Sequence, residues 1–320
     1  MATAVRIEGP ATVAPGASAQ YRLIATFEDG TTGDVSAQAA WSSSNTSILT
    51  AGPGGTVQGT SRGEVALTGR YSNRSTHVYV MVLENGTYRV TGRVTESGGG
   101  LPGARVEAVA GTGAGLTATT GSSGSYALYG LAGEVQIEAR LEGFDNQRQT
   151  IMVNGNTTAD LVMRPSVAPT DLNGTWRLTL SASKGCVPPV PDDAAARSYS
   201  ATVVQNGTFL RIELKSPTFP NAADLKLDGL VIDRRLTVFL PFDDFYYATY
   251  GIRYYSLVET LGPSRMLAIA GTARGERAGT AVTGTLDGEF ALYSGGDGLG
   301  VRNRQFSCSR SDHDFRLDRP

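Results

Sequence analysis

Short runs of alternating apolar and polar residues recur along the chain, with turn residues between them. In residues 20–27, for example, Tyr21, Leu23 and Ala25 alternate with polar neighbours, which is the period-two pattern of a half-buried β-strand. Glycines and prolines fall between such runs at the spacing of turns that join short strands. Only residues 192–197 predict a helix, of a single short turn. The pattern therefore predicts an all-β protein.

Residues 1–84 form the first predicted domain. An aromatic strand ends at Asp29-Gly30, Trp41-Ser42-Ser43-Ser44-Asn45 follows, and a Gly-x-Val-x-Gly turn at 55–59 precedes the closing strands. These motifs resemble bacterial immunoglobulin-like domains of group 2. The resemblance implies a small Ig-like β-sandwich, in which we expect Trp41 to be the large core side chain.

Residues 85–165 form the second predicted domain. Its motifs are Gly92-x-Val94, Pro102-Gly-Ala-x-Val106, Gly124-x-Tyr-x-Leu128 and Gly143-Phe144. They resemble the carboxypeptidase regulatory-like fold, a small β-sandwich that accompanies enzymes, receptors and surface proteins and itself implies no catalysis. Residues 164–169 follow as a linker, whose prolines favour an extended, semi-rigid spacer.

Residues 170–320 form the third predicted domain, a meander of about eight to ten strands. It opens on Gly174-Thr175-Trp176, and Asn206-Gly207 between two apolar runs is a strong hairpin signal. The opening and the meander loosely resemble lipocalin-like barrels. We therefore expect two small β-sandwiches followed by an antiparallel β-barrel-like domain.

The composition limits the choice of partners. The 320 residues include 28 Lys and Arg and carry a net charge of −2. Because the basic residues are dispersed, we expect no nucleic-acid partner and no attraction to anionic lipid. No apolar run approaches the roughly 18 residues of a spanning helix, so we expect no transmembrane segment.

The compartment is inferred from the cysteines and the composition. Cys186 and Cys308 are the only cysteines, and such a pair predicts either one disulfide, formed in an oxidising compartment, or two buried thiols. The start at Met1 lacks the features of a signal peptide, so either a leader has been removed or the protein is cytoplasmic. Few charges and abundant Ser, Thr and Gly favour a periplasmic, outer-surface or secreted protein whose leader was removed.

Residues suited to catalysis are sparse, and we expect no enzyme, no cofactor and no metal site. His77 lies in an alternating strand, which favours a surface role. His313 lies between Asp312 and Asp314; neighbouring residues of a strand point to opposite faces, so a solvated charged strand is favoured over a metal site. A Ser-His-Asp triad remains as an alternative because triads assemble in space.

An aromatic segment stands out in the third domain. Residues 239–255 contain eight of the 25 aromatic residues of the chain. We expect Phe239 and Tyr255 to belong to the core, whereas successive residues of a strand cannot all be buried. The segment is therefore either core with solvent-tolerant tyrosines or a contact surface. The candidate contact residues are Phe242, Phe245, Tyr246, Tyr247, Tyr250 and Tyr254.

Three functions are compatible with these features. The first is a non-catalytic interaction or scaffold protein with protein partners. It would be an accessory or structural subunit docking onto a larger extracytoplasmic assembly, such as the periplasmic face of a respiratory or photosynthetic membrane complex, or a surface filament. The second is binding of a carbohydrate, or of a small ligand inside a wide barrel, through the aromatic segment. The third is a hydrolase in the third domain, for which the sequence offers no motif.

Overall fold

The computed structural model describes residues 1–219, 224–243, 252–297 and 300–320, without the side chains of Phe242, Asp243 and Asp297. In this part of the chain, no helix is long and apolar enough to cross a membrane. Contacts group the residues into two compact units. The first contains Met1–Thr95, Gly100–Leu141 and Asn146–Met163, and the second contains Glu96–Gly99, Glu142–Asp145 and Arg164–Pro320.

The first β-sandwich is built from ten strands: β1 Ala2–Glu8, β2 Thr12–Val13, β3 Ser18–Gln20, β4 Arg22–Phe27, β5 Thr32–Asp34, β6 Ala40–Ser43, β7 Leu49–Ala51, β8 Thr56–Gly59, β9 Gly63–Tyr71 and β10 Arg74–Val82. One face holds β1-β4-β5 and β3-β8-β7, with Tyr21 between the consecutive strands β3 and β4. The other holds β2-β10-β9-β6, in which β2 is parallel to β10. The resemblance to immunoglobulin-like domains of group 2 stays a prediction.

The prediction that Trp41 is the large core side chain is wrong in part. Its ring is half-buried against two small apolar clusters, and its indole N–H donates to the Ser36 carbonyl at 3.1 Å. Tyr21 is the largest fully buried side chain of this sandwich, and its hydroxyl donates to the Pro10 carbonyl. Burial of the Tyr21 hydroxyl raises its pKa to about 12.

The second β-sandwich has eight strands: β11 Tyr88–Glu96, β12 Gly99–Gly100, β13 Arg105–Thr112, β14 Thr117–Thr119, β15 Ser125–Arg140, β16 Gln147–Val153, β17 Thr157–Thr158 and β18 Leu161–Val162. The long strand β15 pairs with β11 through its first half and with β13 and β16 through its second half. One strand thus takes part in both halves of the sheet and connects them covalently.

The predicted linker is not a free spacer. Its backbone pairs with the segment that precedes β16: the Asp145 N–H donates to the Arg164 carbonyl at 2.9 Å, and the Ser166 N–H donates to the Gly143 carbonyl at 3.0 Å. These four residues all belong to the second compact unit. The division of the chain into three domains remains a prediction, because the contacts between residues divide the chain into two compact units.

The C-terminal domain contains eleven strands and one short helix: β19 Gly174–Ser181, α1 Asp192–Ala195, β20 Ala196–Asn206, β21 Phe209–Lys215, β22 Leu225–Ile232, β23 Arg235–Leu240, β24 Phe242–Asp243, β25 Arg253–Tyr255, β26 Leu257–Gly262, β27 Arg265–Ala278, β28 Ala281–Asp297 and β29 Gly300–Asp318. The helical turn and the Asn206-Gly207 hairpin confirm the sequence predictions. Strands β19–β23 and β27–β29 pair in succession, and β29 pairs again with β19. The result is a closed, antiparallel, eight-stranded barrel.

Apolar side chains fill the barrel. Trp176, Tyr199 and Phe315 each expose 2% or less of their surface, and leucines and valines from every barrel strand join them in one cluster. A barrel of eight strands is just wide enough for such filling. In the described part of the chain, the interior is therefore occupied by side chains rather than left open for a ligand.

The strands β27, β28 and β29 continue beyond the barrel into a half-barrel. There β26 pairs with the first part of β27, while β25 pairs with β29 and β24 pairs with β25. Two glycine pairs face each other across β27 and β28, Gly271 with Gly288 and Gly275 with Gly284. Paired glycines let the two backbones approach closely where long strands bend from one curved sheet into the other.

We predict that Gly288→Ala destabilises the C-terminal domain. An added Cβ would lie 2.0 Å from the Ala270 carbonyl oxygen, which belongs to the rigid backbone of β27. The expected loss is about 1–3 kcal/mol or more of unfolding free energy, measured by urea denaturation. Gly262→Ala is the control, because a Cβ added there would have no atom within 4 Å apart from its own chain neighbours. Equal effects of the two substitutions would contradict the close-approach explanation.

Candidate functional site

Two of the six predicted contact residues, Phe242 and Tyr254, lie on described strands, β24 and β25 of the half-barrel. The backbone of Phe242 pairs with Tyr255, and that of Asp243 pairs with Tyr254. Tyr254 exposes 39% of its surface. The side chain of Phe242 and the whole of Phe245, Tyr246, Tyr247 and Tyr250 lie outside the described residues. Their role as contact residues stays a prediction, and the structure places the two ends of their segment on β24 and β25.

A tyrosine pair anchors this edge to the half-barrel core. Tyr255 is buried, as expected, whereas Phe239 is only half-buried. The Tyr255 hydroxyl lies 2.7 Å from that of Tyr293 and donates to a Glu289 oxygen at 3.2 Å. Burial, and then the hydrogen bond with Tyr293, raises the pKa of Tyr255. Tyr255 therefore remains a neutral hydrogen-bonding group that joins β25 to β28.

Glu289 links this tyrosine pair to β29. One of its oxygens accepts a hydrogen bond from Arg304 at 2.8 Å, and the Glu289 side chain exposes only 13% of its surface. The carboxylate thus receives a charge-assisted bond on one oxygen and a phenol on the other. This chain of polar contacts crosses three strands and fixes the rim on which the aromatic segment begins and ends.

A second polar cluster surrounds Glu259 on β26, where 1% of the Glu259 side chain is exposed. Arg197 on β20 donates to both of its oxygens, at 2.5 and 2.9 Å, and the Tyr199 hydroxyl donates at 3.0 Å. The Thr218 hydroxyl is a further donor. Four donors therefore meet one buried carboxylate, as a buried charge requires.

The electrostatics of this cluster favour a structural role. The hydrogen bond to Glu259 raises the pKa of Arg197. Burial, followed by the charge of Glu259, raises the pKa of Tyr199 well above its usual value. Tyr199 also stacks on Phe219 with ring centroids 5.4 Å apart. With its phenol neutral and its carboxylate saturated, the cluster binds β20, β26 and the turn at Thr218 together.

The prediction that His313 lies in a solvated strand is wrong. The histidine is fully buried rather than part of a solvated strand, although Asp312 and Asp314 beside it are exposed. Its Nδ1 accepts the Ser183 N–H at 2.9 Å, and its Nε2 lies 3.2 Å from the Gly288 carbonyl. Both ring nitrogens thus face backbone groups, which differs from the arrangement of a Ser-His-Asp triad. The exposed position predicted for His77 is confirmed.

Metal ligands do not converge in the described part of the chain: it contains no group of three or more His, Cys, Asp or Glu side chains placed to hold an ion.

The predicted disulfide is present. Cys186 and Cys308 are bonded, with Cα atoms 5.7 Å apart. The bond attaches the loop at 183–190 to β29. The same loop receives a hydrogen bond from Arg310 to the Gly185 carbonyl at 3.2 Å. The Ser183 N–H bonds to His313, and the Ser183 side chain is hydrogen-bonded to Asp312. Four separate contacts therefore hold this loop on one strand.

Sequence reasoning missed Glu259 and Glu96. Glu96 is 5% exposed and accepts hydrogen bonds from the backbone N–H and the hydroxyl of Thr208, at 3.0 and 2.7 Å. A charged residue on a strand normally faces solvent. Thr208 and the donors to Glu259 lie at least 41 positions away in sequence from the carboxylates that they contact, so no local signal was available.

We predict that Glu259→Ala costs about 3–5 kcal/mol of unfolding free energy, since it leaves Arg197 and Tyr199 without their buried acceptor. Urea denaturation of the whole chain measures the loss. Glu213→Ala is the control: Glu213 on β21 makes only a partly exposed ion pair with Lys226 at 3.6 Å, for which we expect a change within about 1 kcal/mol. If Glu259→Ala lowered the unfolding free energy no more than Glu213→Ala, the cluster would not have the structural role described.

We also predict that the double variant Cys186→Ser/Cys308→Ser lowers the stability of the C-terminal domain. The bond spans 122 residues, and its removal restores chain entropy to the unfolded state, at a cost of about 2–5 kcal/mol. Calorimetry of the oxidised protein and of the double variant measures the difference. Unchanged melting would show that the strand pairing of β19 with β29 already supplies the constraint.

Comparison with known proteins gives a domain-level match. Residues 89–164 match the family model of the carboxypeptidase regulatory-like domain. No curated protein matches the chain.

Similar solved structures are a DUF3823 family protein from Parabacteroides merdae and domains of the S-layer protein SbsC. The first is 17% identical and covers 46% of this chain and 97% of its own, with a TM-score of 0.23. SbsC domains 5–6 are 15% identical and cover 73% and 98%, also with a TM-score of 0.23. SbsC domains 4 and 5 are 12% identical and cover 49% and 99%, with a TM-score of 0.21. TM-scores this low carry no argument about this chain. The family match covers only its second β-sandwich, at residues 89–164.

Proposed function

We propose that this chain is a non-catalytic, extracytoplasmic interaction protein that joins a larger assembly through the aromatic rim of its half-barrel. We define the aromatic rim as β24, β25 and the segment between them, residues 242–255. The observation that carries the proposal is the construction of this rim. Its two ends form the last strands of the half-barrel sheet, and Tyr254 is partly exposed there.

Hydrogen bonds support one end of the rim. Tyr255 faces inward and is tied to Tyr293 and Glu289, whereas Tyr254, its neighbour on the strand, faces outward. Large aromatic side chains on a fixed strand lose little conformational entropy when they are covered by a partner. This is the usual chemistry of binding hot spots, which are enriched in tyrosine.

Two further features support the proposal. The disulfide between Cys186 and Cys308 fits an oxidising compartment, and hence a periplasmic, cell-surface or secreted location. The second β-sandwich matches a family that is regulatory-like by description. Polar groups with catalytic potential, namely His313, Glu259 and Tyr199, are each engaged in hydrogen bonds that support the fold.

The test compares the native-source protein with the triple variant Tyr246→Ala/Tyr247→Ala/Tyr250→Ala. We expect the wild-type chain to migrate on native gels in a complex larger than its 33.6 kDa, and the variant to be released as a single chain with unchanged melting. Tyr79→Ala is the matched control, because Tyr79 is 66% exposed on the first sandwich. Wild-type protein that migrates alone would contradict the proposal.

Carbohydrate binding by the same residues is the competing outcome. A polysaccharide pull-down with the wild-type chain and the triple variant distinguishes it. Retention on a glycan that is lost in the variant would reassign the rim from a protein partner to a sugar, since both are bound through exposed aromatic rings.

A further inference from the structure

The loop at 183–190 is held on β29 by contacts of two different kinds. One is covalent, the bond between Cys186 and Cys308. The others are polar: the Ser183 N–H donates to Nδ1 of His313, Arg310 donates to the Gly185 carbonyl, and the Ser183 side chain is hydrogen-bonded to Asp312. The outer part of the loop is exposed, with Val187 showing 93% of its surface. We call this segment the latch loop.

The geometry fixes the protonation state of His313. A backbone N–H can only donate, so Nδ1 must carry a lone pair toward Ser183. The proton of the neutral ring is therefore on Nε2, which donates to the Gly288 carbonyl at 3.2 Å. The ring is 0% exposed and packs against Phe290 with centroids 4.8 Å apart. It has no room to exchange these partners by turning toward water.

We propose that His313 is a pH-sensitive latch: protonation of Nδ1 breaks its bond with the Ser183 N–H and loosens the latch loop at Ser183, while the loop stays tethered through Cys186–Cys308. In the protonated ring both nitrogens are donors, so Nδ1–H and the Ser183 N–H would face each other. Ser183, Cys186 and Val190 of the loop are buried, whereas residues 184, 185 and 187–189 are exposed. Because the ring is enclosed in the core and most of the loop is at the surface, the loop is the element that yields.

The elements that pack on His313 carry charged residues close to it in sequence or strand pairing. They are Arg310, Asp312 and Asp314 on β29, Asp287 and Glu289 on β28, and Lys184 on the latch loop. Asp312 favours the protonated ring and Arg310 opposes it, and these two side chains are themselves paired at 2.6 Å. Burial is the largest influence on the pKa of His313, and hydrogen bonds with the backbone of Gly288 and of Cys308 oppose it.

The direction of the response follows from that burial. Desolvation lowers the pKa of His313 below its usual value, so the closed latch loop binds the proton less readily than an open one. The closed state is fully favoured above the ordinary imidazole pKa of about 6.5 and is lost as pH falls toward the lowered pKa. Within that window, the ratio of open to closed latch loop rises about tenfold for each unit by which the pH falls.

The experiment measures hydrogen exchange of the Ser183 amide by NMR in the oxidised full chain, from about pH 7.5 to about pH 4.5. After correction for intrinsic exchange, we expect protection to fall by about tenfold or more, with a midpoint below about pH 6.5. The imidazole nitrogens of His313 should titrate with the same midpoint. Protection that does not change over this range would overturn the proposal.

Two variants separate the latch from general acid destabilisation. His313→Gln offers a side-chain oxygen that accepts the Ser183 N–H but does not titrate, so protection should become independent of pH. His77→Gln removes the exposed histidine and should leave the wild-type response unchanged. If protection of the Ser183 amide in His313→Gln still fell with pH as it does in the wild-type chain, the role of the ring would be refuted. If that variant does not fold, the His313 titration in the wild-type chain decides: a ring that titrates without any change at Ser183 overturns the proposal.

Discussion

The pairing of β19 with β29 is the contact on which the C-terminal domain depends. It joins Arg177 to Asp318 and Ser181 to Asp314 in continuous antiparallel register. Without it, the eight barrel strands would form an open sheet with two unpaired edges, and such edges invite association with other chains. With it, the sheet closes on one apolar cluster. The disulfide and the His313 contact lie beside this seam and hold the loop after β19 against β29.

The half-barrel is a consequence of strand length. β27, β28 and β29 are 14, 17 and 19 residues long, longer than the barrel requires. Their outer parts would expose apolar residues if β24, β25 and β26 did not add to them. The facing glycines at 271 and 288 allow the backbones of β27 and β28 to approach closely. The aromatic rim therefore rests on the same strands that close the barrel.

Much of the fold was predictable because its signals are local. The Asn206-Gly207 turn, the alternating runs and the two isolated cysteines each depend on neighbouring residues or on simple pairing. The buried carboxylate of Glu259 was not predictable, since its donors come from β20 and from the turn at Thr218. His313 was misassigned because its exposed acidic neighbours suggested a solvated strand, whereas alternation places the ring alone in the core. The aromatic contact residues were chosen from composition, and only Tyr254 among them has a described side chain, which is partly exposed.

Closure between β19 and β29 also has a consequence for how the domain is made. The two paired strands are about 140 residues apart in sequence, so the barrel has the slow, non-local topology that delays folding until distant segments are both present. During synthesis or export, β19 emerges long before its partner and must remain soluble without it. Polar residues at 175, 177 and 179 on its outer face suit this interval. The edge of β19 thus stays unpaired until β29 is present. A chain that ends before β29 would keep this open edge and would not close into a smaller barrel.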